Sequence, residues 1–281
     1  MAFQKRTAIL FFAVSLTFAS TALSSDLSRV LSNGTSPHFI SESIVVQEGD
    51  SLVLPAGTVL RFAANAGIEI RGGSFAIAGT SANPVILESQ DSSASWKGIS
   101  IAENTPVILR GVQFQNAQVA ISMENGVLEL ENAKLENSKT AAIIATNSLL
   151  HIRQAEFIKN RTALLLAENS NAGFTDLTVK ENKIGLQSMQ NTTIRIHRAH
   201  FSENEIALFV MDDSEISPSQ TEIKSNRVGV LSLQELSSSL QNSTSENQTD
   251  FSSDLTTAIE SSSSCFWSTG AGHWVISSEA F

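Results

Sequence analysis

Between residues 104 and 231 asparagine returns every 22 positions, in two separate columns. Asn125, Asn147, Asn169, Asn191 and then Asp213 form the first, with Asn104 preceding it by 21 residues. Asn160, Asn182, Asn204 and Asn226 form the second, and Asn137 or Ser138 takes its place one coil earlier. Three apolar runs keep the same beat. Leu135, Phe157, Val179, Phe201 and Ile223 mark one, with Phe114 a residue out of phase, and Leu130, Ile152, Phe174 and Ile196 mark another. The remaining run opens on a small residue (Ala120, Ala142, Ala163, Gly185, Ala207 or Gly229) before continuing into aliphatic side chains. Polar and apolar columns in phase at a fixed period mean a chain wound into coils, each burying its apolar side against its neighbours. No stretch between Ser43 and Leu233 keeps a helical period, and the short runs are broken by Gly, Asn or Pro, so the coils are built of strands.

Stacking gives the asparagines a physical role. Strands of adjacent coils lie about 4.8 Å apart, so residues one period apart are neighbours. Asn tolerates the left-handed backbone region better than other residues carrying a Cβ, and stacked amides can bond one another along the axis. Both columns are therefore expected to be turn formers and ladders. Asp213, which would otherwise invite a catalytic reading beside Asp212, is explained by its place in the first column.

The flanks differ from the repeat. Lys5 and Arg6, the apolar stretch Ala8 to Phe18 and Ala22-Leu23-Ser24 read as a secretory leader over 1–24. The apolar run is shorter than the ~20 residues a membrane span needs, so no span is expected in the mature chain. The expected location is secreted, periplasmic or at the cell surface of a bacterium. Residues 25–42 read as a lead-in or cap, 43–233 as the coils, 234–264 as a flexible segment rich in Ser, Thr and Asn, and 265–281 as an apolar segment able to cap. Cys265 is the only cysteine, so an intrachain disulfide is excluded and stability must come from stacking. Losing Lys5 and Arg6 takes the formal charge from -10 to -12, which argues against nucleic acid as a partner.

Gly79-Thr80-Ser81-Ala82-Asn83-Pro84-Val85-Ile86-Leu87, followed by Trp96-Lys97-Gly98-Ile99, resembles the signature of secreted bacterial β-helix proteins, in which a Gly-Thr turn and a Pro-led strand precede W-x-G-I. Val46 to Thr58 resembles their entry coils. Over Ile44 to Leu233 the chain looks like the right-handed parallel β-helix superfamily with the pectate-lyase-like fold. The expected fold is thus all-β: a single-stranded right-handed parallel β-helix solenoid with about 22 residues and three short strands per coil. Fold alone does not assign a function.

Enzymes of that superfamily that cleave uronic-acid polymers cluster Asp and Glu around calcium or group Asp with His, Arg and Lys. Between Ser43 and Leu233 only Asp50, Asp91, Asp176, Asp212 and Asp213 occur, and no catalytic, metal or cofactor site is expected. Glu168 and Asp212, read as members of one column with Glu124, Thr146 and Gln190, would lie ~9.6 Å apart, close to the upper limit for an inverting carboxylate pair. A lyase, hydrolase or epimerase with an unfamiliar site is the alternative function. The expectation preferred is an exported non-catalytic scaffold for surface or periplasmic interaction, binding polysaccharide or another surface protein. Its candidate binding residues are His151, Arg153, Arg195 and His197, which share two outward columns with Glu129, Glu131, Gly173 and Thr175. Arginine suits a carboxylate or sulfate because its planar fork donates two parallel hydrogen bonds; the plainer reading is that Glu129 with His151 and Glu131 with Arg153 pair across coils.

Overall fold

The structure, a computed structural model, describes residues 36–102, 104–211, 213–233 and 238–253, with the backbone of 267–269 and 273–275. The expected leader, the lead-in before residue 36 and Asp212 lie outside these. All pairings from His38 to Ser252 are parallel, and the only helix described is Ser238–Asn242. Sheet B takes one strand from each of ten turns, beginning at Ile44–Val46 and ending at Thr249–Ser252. Sheet A forms the rest of each turn. Its centre is five ten-residue strands: Pro106–Gln115, Val127–Glu136, Leu149–Ile158, Asn171–Lys180 and Thr193–Ser202.

Each long strand unites two of the three apolar runs in the sequence. Pairing is continuous on either side of a single skipped residue, at Gly111, Asn132, Gln154, Asp176 and Arg198. All five are left-handed, with φ between 51° and 58°. One such residue bends the strand sharply without interrupting its ladder, so the halves wrap two sides of the core. Nearer the N-terminus the halves are separate strands: Ser51–Pro55 and Ser74–Ala78 continue one half, and Val59–Phe62 and Val85–Ser89 the other. Gly111 has to be glycine, because a Cβ there would lie 2.2 Å from the Gly79 carbonyl carbon. This contact explains the Gly-Thr turn in the family signature.

The interior is one apolar cluster running the length of the coils. Leu135, Phe157, Val179, Phe201 and Ile223 are fully buried, as their period predicts, and Phe114 joins them by pairing in register with Leu135. The small-residue column lies at a crowded corner. A Cβ on Gly185 would meet the Ala207 carbonyl oxygen at 2.6 Å and the Phe201 ring at 3.2 Å. Trp96 is buried, stacks on Phe62 with ring centroids 4.4 Å apart, and donates its indole N–H to Gln115 O at 2.9 Å. Gly98, two residues on, is left-handed at φ 96°, and a Cβ would fall 1.7 Å from Val119 O. The signature is therefore a packing device: a ring fills the first wide coil and a glycine lets the next coil close over it.

The two asparagine columns part company. In the first, Asn104, Asn125, Asn147, Asn169, Asn191 and Asp213 are themselves left-handed, with φ from 47° to 61°. Asn147 donates its amide to Asn125 Oδ1, the one side-chain bond described within this column. In the second, the left-handed residue is the one before each asparagine: Lys159, Glu181, Glu203 and Ser225. Asn160, Asn182, Asn204 and Asn226 are buried instead. Asn160 Oδ1 accepts the backbone N–H of Ser138 at 2.9 Å, and the Oδ1 of Asn182, Asn204 and Asn226 each accept that of the asparagine one coil earlier, at 2.8–3.0 Å. Each Nδ2 donates to a carbonyl of the preceding coil: Leu135, Phe157, Val179 and Phe201.

The solenoid continues past Leu233, into the segment whose composition reads as flexible. Thr249–Ser252 pairs with Val228–Ser232, and Ile223 bridges to Thr244. Asn247, 21 residues beyond Asn226, accepts the Asn226 N–H at 2.9 Å and donates to Asp250 Oδ1, which ends the ladder. Leu240 on the short helix is buried against the last turn of sheet A. Ser- and Asn-rich composition suits a disordered segment and a solenoid turn equally well, so composition alone could not separate them.

Candidate functional site

The first half of each long strand buries every second residue, such as Leu150 and Ile152, and turns the others outward. Parallel register then builds two outward columns: Ile108, Glu129, His151, Gly173, Arg195 and Ser217 in one, and Arg110, Glu131, Arg153, Thr175, His197 and Ser219 in the other. The four candidate residues thus lie on one flat face. His151 and Arg153 share a row, Arg195 and His197 share another, and the row of Gly173 and Thr175 lies between them. Two rungs separate the charged rows, ~9.6 Å. Because Gly173 has no side chain, the face dips into a shallow cleft of about 300 Å³, bounded by Arg110, Glu129, Glu131, His151 and Arg153.

The cleft acids are occupied by arginines. Arg110 lies 3.6 Å from Glu129 and 3.3 Å from Glu131, and Arg153 lies 3.5 Å from Glu131. The expected Glu131–Arg153 pair is therefore present, whereas Glu129 turns to Arg110 in the coil before it rather than to His151. Arg110 escaped the sequence reading because it precedes Glu131 by 21 residues rather than 22. His197 is held from two sides: Arg198 Nη1 donates to its Nε2 at 2.6 Å, which leaves Nδ1 to donate to Ser219 Oγ at 2.9 Å. Arg198 also donates to both oxygens of Asp176, at 2.6 and 2.8 Å. That bidentate bond holds the Asp176 carboxyl below the usual range and raises the guanidinium. No such bond or ion pair engages His151 or Arg195 among the described residues. Beyond the bend, Lys224 at 2.7 Å lowers the Glu222 carboxyl, with His200 3.5 Å from the same oxygen.

The proposed carboxylate column is corrected by the pairing. Thr146 pairs with Ala167, so Glu168 is an extra turn residue, left-handed at φ 49°, and does not continue the column of Glu124 and Thr146. Asp212 lies outside the described residues. Among those described, no three His, Cys, Asp or Glu side chains converge as metal ligands would. No described helix is long and apolar enough to cross a membrane. A buried hydroxyl column also went unread. Ser148, Ser170, Thr192 and Ser214 each follow a first-column residue; Ser148 Oγ accepts from Gly126 N at 3.0 Å, and Ser170 Oγ from Ser148 N at 3.2 Å. Its 22-residue spacing was visible, but serine is common enough in this chain to hide it.

Residues 97–254, more than half of the chain, match the family model described as right handed beta helix region. The chain belongs to this family. No curated protein matches it. Family membership explains the right-handed β-helix, its parallel sheets and its stacked ladders, and the match extends through the added coil at Asn247. It assigns no chemistry to the outer face of sheet A, which must be judged from its own residues.

Proposed function

We propose that this β-helix is an exported, non-catalytic binding scaffold whose outer sheet A face takes an acidic polysaccharide. The observation that carries the reading is the Arg195 guanidinium, which no hydrogen bond or ion pair engages among the described residues, separated from His151 and Arg153 by the low floor of Gly173 and Thr175. Arg195 is free to offer a carboxylate or sulfate two parallel hydrogen bonds, and a polymer lying along the axis can meet a new coil every 4.8 Å or so. His197 serves this face indirectly, since Arg198 and Ser219 already occupy its ring nitrogens. The carboxylates Glu129 and Glu131 are neutralised by arginines, which favours a binding surface over one that needs a free general base.

The test is a titration of the mature chain with polygalacturonate and with an uncharged polysaccharide, repeated on Arg195→Ala and Arg153→Ala. Binding to the acidic polymer, weakened about tenfold by Arg195→Ala and less by Arg153→Ala, is the expected result. Equal affinity for the uncharged polymer, or an unchanged affinity in Arg195→Ala, removes the assignment. Release of unsaturated or reducing sugars by the purified chain overturns its non-catalytic part.

A further inference from the structure

The outer face of sheet B changes character along the axis. One outward column runs Glu69, Ser100, Ser122 and then Ile144, Leu165, Gln187, Phe209 and Leu231. Ile184, Ile206 and Val228 flank it on one side and Ala167, Met189 and Met211 on the other, making a second apolar cluster outside the coil. Outward residues on an uncovered face stay accessible: on sheet A, Val53, Ile108, Val127 and Leu149 are 37–51% exposed. Phe209 is 2% exposed, and Ile206 and Leu231 are 0%. Something covers this face, yet among the described elements the strands beneath it make their extensive contacts only with neighbours in their own sheet. At its centre Gln187 is 1% exposed, and its Nε2 has no hydrogen-bond partner. Such a donor is costly unless a covering segment supplies an acceptor.

We infer that the C-terminal hairpin, Trp267–Thr269 with His273–Val275, docks along this lateral face. The chain leaves the coils at Thr249–Ser252, which pairs with Val228–Ser232 in sheet B and so starts beside the patch. Residues 254–266 then span up to ~43 Å when extended, while Leu165 to Leu231 is only ~14 Å along the axis. The hairpin pairs Trp267 with Val275, and Phe266, Trp274 and Ile276 add apolar content. A two-stranded hairpin is marginal alone in water, so it needs a surface, and sheet B offers an apolar one of matching size. The expected leader is a poor occupant, because its removal on export would leave bare a patch large enough to drive association. This assigns the hairpin to the side of the coil rather than to its end.

Cys265 makes this testable in the full mature chain. Gln187→Cys places a second thiol at the centre of the patch, and Asn171→Cys places one on the outer face of sheet A as the control. Treatment with a short bis-maleimide is expected to link Cys265 to the Gln187→Cys thiol within one molecule, about tenfold or more faster than to the control, as tethering at high effective concentration requires. Hydrogen exchange on the unmodified chain is the second measurement, with amides of 267–275 expected to exchange at least about tenfold slower than in a free peptide. Links formed between molecules identify a second copy as the cover and overturn the inference. Equal linking to both positions, or free-peptide exchange across 267–275, overturns it as well.

Discussion

The two asparagine columns share a residue type and a period, yet they do opposite work. Asn125, Asn147, Asn169 and Asn191 spend their conformational tolerance: each adopts the left-handed region itself and leaves its side chain largely at the surface. Asn160, Asn182, Asn204 and Asn226 spend their amides, buried and bonded to two neighbouring coils, while a Lys, Glu or Ser beside them takes the left-handed turn. Holding a residue with a Cβ in that region costs roughly 1–2 kcal/mol, and the buried amide network offsets it at each coil. A periodic residue therefore announces a repeated position. Whether backbone or side chain is the reason has to be settled by burial.

Removing an inner rung should have the largest effect. Asn182→Ala strips the Asn160 backbone N–H of its acceptor and the Phe157 carbonyl of its donor, all inside the coil. With several orphaned groups at about 1–3 kcal/mol each, a loss of about 3 kcal/mol or more is expected, read from the urea midpoint. A loss below about 1 kcal/mol would erase the distinction between the columns. Asn169→Ala is expected to cost only about 1 kcal/mol, through the left-handed backbone alone, and Asn169→Gly to be close to neutral. The same denaturation series checks both, and a Gly variant as damaging as the Ala variant would mean that the Asn169 side chain matters after all.

The smallest effect concerns the third left-handed column, where Asp176 and Arg198 stand at the bend. The Asp176 carboxyl is held low chiefly by its bond from Arg198. A depressed folded value stabilises the protein above the unfolded carboxylate range near 3.9 and stops doing so as pH falls through the folded value. Wild type and Arg198→Gln should therefore differ most in melting temperature near neutral pH and converge well below pH 4. Both groups are solvent-exposed, so added salt should narrow the gap. A difference that persists unchanged at low pH would show that Arg198 acts through packing or through His197 instead.

Much of the fold was readable because stacking repeats one environment at every turn, so each column averages over four or five residues. The Phe column, the small-residue corner and the ladder at 160–226 all stand out for that reason. Some features that occur once, or step by 21 rather than 22, were lost, although Asn104 and Phe114 were still recognised at that shorter step. Arg110 and Asn247 are each one residue short of the period, and Glu168 fell into the wrong column because a short coil and a longer turn compensate each other. The four candidate residues were correctly placed on one face by period and alternation alone. Which of them is engaged depended on side-chain partners: Arg198 lies next to His197 in sequence but reaches Asp176 a full coil away.

The sequence by itself determined that the chain is a stack of parallel β coils, which side of each strand faces inward, and where the turns fall. These follow from period and alternation, which local spacing carries. The tertiary structure decided which of two identical asparagine columns is buried, where the bend fuses two runs into one strand, and that the last coil closes at Asn247. It also decided that the outer face of sheet A is charged and open while that of sheet B turns apolar and buried over its later turns. Each of those depends on what neighbouring coils, or a distant segment, place against a residue, and spacing along a single chain does not encode that.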